Sequence, residues 1–208
     1  MKERFVGLSY LWKVLANPVD SYYELVYEGK GNVPIACLIY ALYFCALVFQ
    51  LMVTNFIFNP LGLHGFPIPQ IFAVYVLPII VLTIANCLVS AIKQGQGTHR
   101  AVFIATAYAL SPVVLFIPLL AVFSNILTGA EEAIYNSALG FIYLWVGFLY
   151  YLSVMEVHGY SIPEAFFNTL WILFGAVMLV IFGAAFFGIT FQSANFLFKF
   201  MREAIGYV

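Results

Sequence analysis

The chain has 208 residues, 64% of them hydrophobic and 8% charged, with a formal charge of −1 and a mean hydropathy of +1.02. A soluble domain carries about 25% charged residues, so this composition excludes a water-soluble globule and points to a bilayer as the solvent. The near-neutral balance also excludes nucleic acid as a partner, because phosphate binding needs a basic face.

Residues 1–33 form the only sizeable non-spanning segment and are expected in the cytosol. Phe5, Leu8, Leu11, Trp12 and Leu15 recur at mostly helical spacing, which predicts a helix with one apolar stripe lying on the membrane surface. Lys2, Arg4 and Lys13 would reach the headgroups. Gly7, Ser9 and Lys13 interrupt the apolar residues and no small-residue cleavage site follows, so a removable signal peptide is not expected. Asn17-Pro18 then opens a second helix, with asparagine as cap and proline in the first turn. Asp20, Glu24 and Glu28 fall four apart on it, an acidic stripe that reads as a solvated face or as a docking surface for a basic partner.

Five uncharged apolar runs follow, at about 35–58, 71–92, 101–127, 137–155 and 165–191. Each is long enough to cross roughly 30 Å of hydrocarbon as a helix. Their continuous apolarity contrasts with the two-residue alternation of barrel strands. The expected fold class is therefore an all-α integral membrane protein, with a five-span domain over 34–191 preceded by amphipathic cytosolic helices. In the tail, 192–208, Phe196, Lys199, Phe200 and Arg202 predict a short helix along the outer surface. Five spans place the two ends on opposite sides. Lys2, Arg4, Lys13, Lys30, Lys93 and Arg100 then fall inside, against Lys199 and Arg202 outside, so the positive-inside rule puts the N-terminus in the cytosol. The outer loops would be 59–70 and 128–136. The inner turns would be KQGQGTHR (93–100) and EVHGYSIPE (156–164). KQGQGTHR lacks the strand and the GK[ST] ending of a phosphate cradle, and reads as a hairpin whose Lys93 and Arg100 meet headgroups, an anionic lipid or an acidic partner.

NPVDSYYEL after an amphipathic start, the glycine-containing basic turn running into THRAVFIATAYALSP, and HGYSIPEAF before the last span occur in this order. Together they resemble the Yip (Ypt-interacting protein) domain family of five-span membrane proteins. The resemblance implies a helical membrane domain with a cytosolic N-terminus. Eukaryotic members are linked to small GTPases and vesicle traffic and carry a long cytosolic region. The short region here looks more like the compact prokaryotic members, taken as accessory to other membrane machinery, and implies a prokaryotic cell membrane. The positions it carries over are Asn17, Pro18, Gly95, Gly97, Arg100, Tyr108, Pro112, Gly159, Ser161 and Ala165, as architecture and not as catalysts.

A membrane enzyme or proton-driven transporter needs an ionisable group within its spans, despite an insertion cost of about 2.5–3.5 kcal/mol. The five runs hold none, so no catalytic, cofactor-binding or metal-binding residue is expected. His64 falls outside while His99 and His158 fall inside, which precludes a shared metal; His99, His158 and Glu156 read as a polar rim. No serine nucleophile elbow is present. Cys37, Cys45 and Cys87 read as buried free thiols. The interior polar residues, Thr54, Asn55, Asn86, Thr106, Ser111, Asn125, Ser153 and Asn168, suit hydrogen bonds between helices. Pro78, Pro112 and Pro118 each remove an amide hydrogen and free the carbonyl four residues earlier, which Asn86 or Ser111 would satisfy. The second and third spans are thus expected to bend around one polar spot that includes Tyr108. Gly175, Gly183 and Gly188 make the fifth span smooth enough to dock another helix.

These features favour a non-enzymatic adaptor or accessory subunit whose partners are the bilayer and other integral membrane proteins: transporter subunits, a small GTPase in a eukaryote, or further copies of itself. The alternatives are a small transporter or channel built on the polar spot, and a lipid-binding or membrane-shaping protein.

Overall fold

The computed structural model describes residues 2–62, 67–93 and 95–206, and the expectations for the side chains of Lys2, Arg4 and Phe5, and for His64 and Gln94, fall outside what it describes. Among the described residues every regular element is helical. Seven helical units follow one another: α1 (Lys2–Ala16) and α2 (Pro18–Val26), then α3 (Val33–Val53), α4 (Ile68–Ile92), α5 (His99–Phe123), α6 (Glu132–His158) and α7 (Ile162–Gly206). Units α3 to α7 are the five helices long and apolar enough to cross a membrane.

Local chemistry starts and stops them. Proline occupies the first turns of α2 and α3, following Asn17 and Asn32. The Thr98 hydroxyl accepts the Ala101 N–H at the start of α5. Glu131 Oε2 accepts both the N–H and the hydroxyl of Thr128 ahead of α6, and Glu164 does the same for Ser161 ahead of α7. Gly159, at φ +67°, ends α6 in the left-handed conformation that glycine adopts without a Cβ penalty.

Helix α5 is the hub. Two thirds of its most apolar stretch (67%) is buried inside the protein, against 6% for α7. Ala101, Ala105, Ala107 and Ala109 are all buried, and their small side chains let α3, α6 and the N-terminal helices close around it. The helix breaks at Leu110, just before Ser111 and Pro112. Helix α4 is also interrupted: Phe72–Val76 is a π-turn immediately ahead of Pro78. Val74, whose carbonyl Pro78 leaves in want of a donor, lies within this wider turn. Neither Asn86 nor Ser111 is used for that purpose: Asn86 bonds elsewhere, and the buried Ser111 hydroxyl has no partner among the described residues.

Four expectations need correction. First, α1 packs on the bundle: Tyr10, Leu11 and Val14 are buried, and the Tyr108 hydroxyl donates to the Gly7 carbonyl at 2.9 Å. Trp12, a member of the expected apolar stripe, does not share the burial of Leu11: it is exposed and meets Phe116 at a ring distance of 6.4 Å. The inward face is the one built on Gly7, which approaches Ile35 so closely that an added Cβ would lie 2.2 Å from its Cδ1. Second, α3 ends at Val53, not near 58. Its end is tied to α5 by the Asn55 N–H donating to Ser124 Oγ (2.9 Å) and Asn125 Nδ2 donating to the Val53 carbonyl (2.9 Å). Third, the fifth span and the tail are one helix of 45 residues rather than a span and a separate surface helix. No proline follows Pro163 in the chain to interrupt it. Fourth, Cys37 and Cys45 are exposed on the bundle's outer face, and Cys87 is half-buried.

Candidate functional site

The glycine-containing turn and the end of α6 build one polar cluster. His158 is the last residue of α6 and is 2% exposed. Its Nε2 lies 3.0 Å from Asn86 Oδ1 on α4, which joins residues 72 apart in the chain. Tyr160 stacks obliquely on the imidazole, with ring centroids 5.3 Å apart. The turn closes over the ring: a Cβ at Gly95 would lie 2.6 Å from the Tyr160 hydroxyl, and one at Gly97 would lie 2.6 Å from His158 Nδ1. Both positions must be glycine for backbone to pass so near a side chain. His158 Nδ1 and the Tyr160 hydroxyl are buried with no hydrogen-bond partner among the described residues. The Gln96 N–H approaches the His158 carbonyl at 3.5 Å.

His158 is therefore buried, in contrast to the polar rim expected from the sequence, while His99 remains exposed. Glu156 enters the same end of the bundle through its carbonyl, which accepts the Tyr27 hydroxyl of the segment after α2 at 3.1 Å. The available signal was the pairing of two close glycines with an inner HGY turn. Nothing in the local spacing identified Asn86 as the partner.

The other expected site residues distribute as follows. Asp20 and Glu28 are exposed, and Glu24 is half-buried. The Glu24 carboxylate collects Lys13, Lys30 at 2.9 Å and the Tyr10 hydroxyl, and Lys30 also reaches Glu28 at 2.7 Å. The hydrogen bonds from Lys13, Lys30 and Tyr10 hold the Glu24 carboxyl down at about 2. The middle of the acidic stripe thus staples α1 to α2 instead of facing solvent uniformly. Lys93 lies 6.0 Å over the Trp171 ring of α7, and Arg100 is exposed. Tyr108, Ser111 and Pro112 are buried at the α5 break, Pro118 is half-buried within the second half of α5, and Pro78 is exposed. The expected single polar spot is divided: Asn86 belongs with His158, whereas Tyr108 serves α1. Helix α4 packs chiefly on α7, where Gly175 faces Val89 and Ala85. Around Gly183 and Gly188 nothing lies within 4 Å of an added Cβ, so among the described residues they dock no helix.

Chemically, the cluster has one imidazole, one amide and one phenol. Among the described residues no three of His, Cys, Asp or Glu gather as metal ligands. The buried polar side chains are hydroxyls and amides together with His158. Comparison with family models, with curated proteins and with solved structures finds no match in any of the three.

Proposed function

We propose that the chain is a non-enzymatic membrane adaptor or accessory subunit that binds another integral membrane protein through the free length of α7. The observation that carries this reading is the length and bareness of that helix. Its 45 residues extend over ~67 Å at 1.5 Å per residue, whereas about 20 residues cross the hydrocarbon. Even a tilt of about 40° requires only ~26. Yet the helix stays apolar well past that length: Phe182, Phe186, Phe187, Phe191, Phe196 and Phe198 are all exposed, and charge enters only near its end, with Lys199, Arg202 and Glu203. Lipid covers the part within the bilayer. The remainder needs a protein surface, since exposed apolar area costs ~25 cal/mol per Å² in water. An apolar groove of about 460 Å³ between α4 and α7, lined by Pro78, Leu82, Ala176 and Val180, continues that surface.

The resemblance to the Yip domain family supports this reading, as does the placing of the N-terminus in the cytosol by the distribution of lysine and arginine. In that orientation the glycine turn and His158 face the cytosol, and the bare end of α7 projects from the opposite side. The test is site-specific photocrosslinking in native membranes, with the crosslinker at Phe187, at Phe198 and, as a lipid-facing control, at Leu119. A discrete protein adduct from the two α7 positions and none from Leu119 is expected. Lipid adducts alone at all three positions would refute the adaptor.

A further inference from the structure

At the end of the bundle opposite His158, a cavity of about 350 Å³ opens between α3, α4 and α6. This is the lower part of the usual range for small-ligand pockets, about 300–1,000 Å³. Three carboxamides line it, from Gln50, Asn59 and Asn136, together with the Thr54 hydroxyl and the rings of Tyr75 and Tyr135. We propose that this cavity binds a neutral polyhydroxylated ring of the sugar type.

The polar groups converge there with their hydrogen-bonding capacity largely unspent. Thr54 is 8% exposed, and its hydroxyl has no partner among the described residues. Among the described residues each carboxamide donates only a stretched bond: Gln50 Nε2 to the Tyr135 hydroxyl at 3.4 Å, Asn59 Nδ2 to the Leu51 carbonyl at 3.5 Å, and Asn136 Nδ2 to Glu132 Oε1 at 3.4 Å. Bonds of that length lie beyond the 2.7–3.2 Å of a well-made N–H···O bond and exchange readily for better ones. An apolar occupant would leave the Thr54 hydroxyl stranded, which disfavours it.

Charge selects further. Among the described residues none that lines the cavity is ionised, and the Glu132 carboxylate reaches only its rim, through Asn136, so an anion or a zwitterion would be desolvated there without a cationic partner and a cation would meet no carboxylate within the lining. What remains is an uncharged molecule with many hydroxyls. Carboxamides and hydroxyls each donate and accept, which matches a hydroxyl group in either role. The aromatic walls suit the other property of a sugar ring, its faces of C–H bonds, whose partial positive charge complements the negative face of an aromatic ring. Tyr135 is backed by Phe58, stacked with centroids 4.8 Å apart and planes at 22°, which fixes the orientation of that wall.

The ring would come either from a free monosaccharide or from the headgroup of a glycolipid. The experiment takes the full chain in nanodiscs. One arm adds radiolabelled glucose to discs of phosphatidylcholine; the other builds the discs with glucosyl-diacylglycerol and counts retained lipid by native mass spectrometry. Saturable binding of one glucose per chain assigns the free sugar, and retention of one glucosyl lipid without glucose binding assigns the headgroup. Either occupancy should fall at least tenfold in Thr54→Val and in Asn136→Leu, the second lying at the exposed rim where folding is least sensitive. Absence of binding in both arms overturns the proposal. So does binding that survives both substitutions in protein with wild-type far-UV and tryptophan spectra.

Discussion

Substitution of Gly97 by alanine tests the packing of the turn on His158 most directly. The new Cβ would lie 2.5 Å from Val157 Cγ1, 2.6 Å from His158 Nδ1 and 2.7 Å from His158 Cε1. All three distances are well inside van der Waals contact, and none involves the end of a long flexible side chain. The imidazole cannot turn aside freely, because Asn86 holds its other nitrogen at 3.0 Å and Tyr160 covers its face. Overpacking of this kind costs about 1–3 kcal/mol, and loss of the Asn86 bond adds ~0.5–1.5 kcal/mol. The sum, about 1.5–4.5 kcal/mol, corresponds to a ~10- to 1,600-fold shift in the unfolding equilibrium at about 1.4 kcal/mol per factor of ten. The assay is unfolding in mixed micelles by increasing SDS fraction, followed by tryptophan fluorescence. Gly183→Ala is the control: nothing lies within 4 Å of its added Cβ, and replacing a mid-helix glycine gains up to about 1 kcal/mol in propensity. In a His158→Ala background the Gly97→Ala penalty should shrink but not vanish, since Val157 remains. Equal stabilities for Gly97→Ala and Gly183→Ala, or an unchanged penalty without His158, would refute this account of the turn.

The Glu24 carboxyl lies below its unfolded value because Lys13, Lys30 and Tyr10 bond to its charged form. A depressed carboxyl contributes stability that is present above the unfolded value and lost as pH falls. Amide exchange in α1 and α2 should therefore accelerate between about pH 4.5 and 2, and Glu24→Gln should abolish that pH step. Ser124→Ala removes the acceptor of the Asn55 N–H and should destabilise the chain by about 1–3 kcal/mol in the same SDS titration, the price of an amide left unpaired at the junction of α3 and α5. Tyr108→Phe removes the only side-chain hydrogen bond between α5 and Gly7 found among the described residues; protease cleavage within residues 2–16 should quicken, with a loss of ~1 kcal/mol and little change in the rest of the bundle.

The sequence by itself determined the elements whose causes are local. Five uncharged apolar runs correspond to five helices long and apolar enough to cross a membrane, the form in which a backbone satisfies its own hydrogen bonds without water. The start at Asn17-Pro18 was read from its own two residues; the starts at Thr98 and Ser161 and the stop at Gly159 have equally local causes but were found only in the structure. The continuation of α7 past residue 191 was not read from the sequence: the amphipathic pattern of Phe196, Lys199 and Phe200 suggested a separate helix, although no proline stands there to enforce one. Tertiary structure alone decided the partnerships. Asn86 and His158 are 72 residues apart, and periodicity carries no information about which helices become neighbours. In an all-apolar span it does not even mark the inward face, because lipid and protein interior are equally apolar. For the same reason Trp12 and Leu11, adjacent and both apolar, could be separated into outer and inner positions only by the close approach of Gly7 to Ile35.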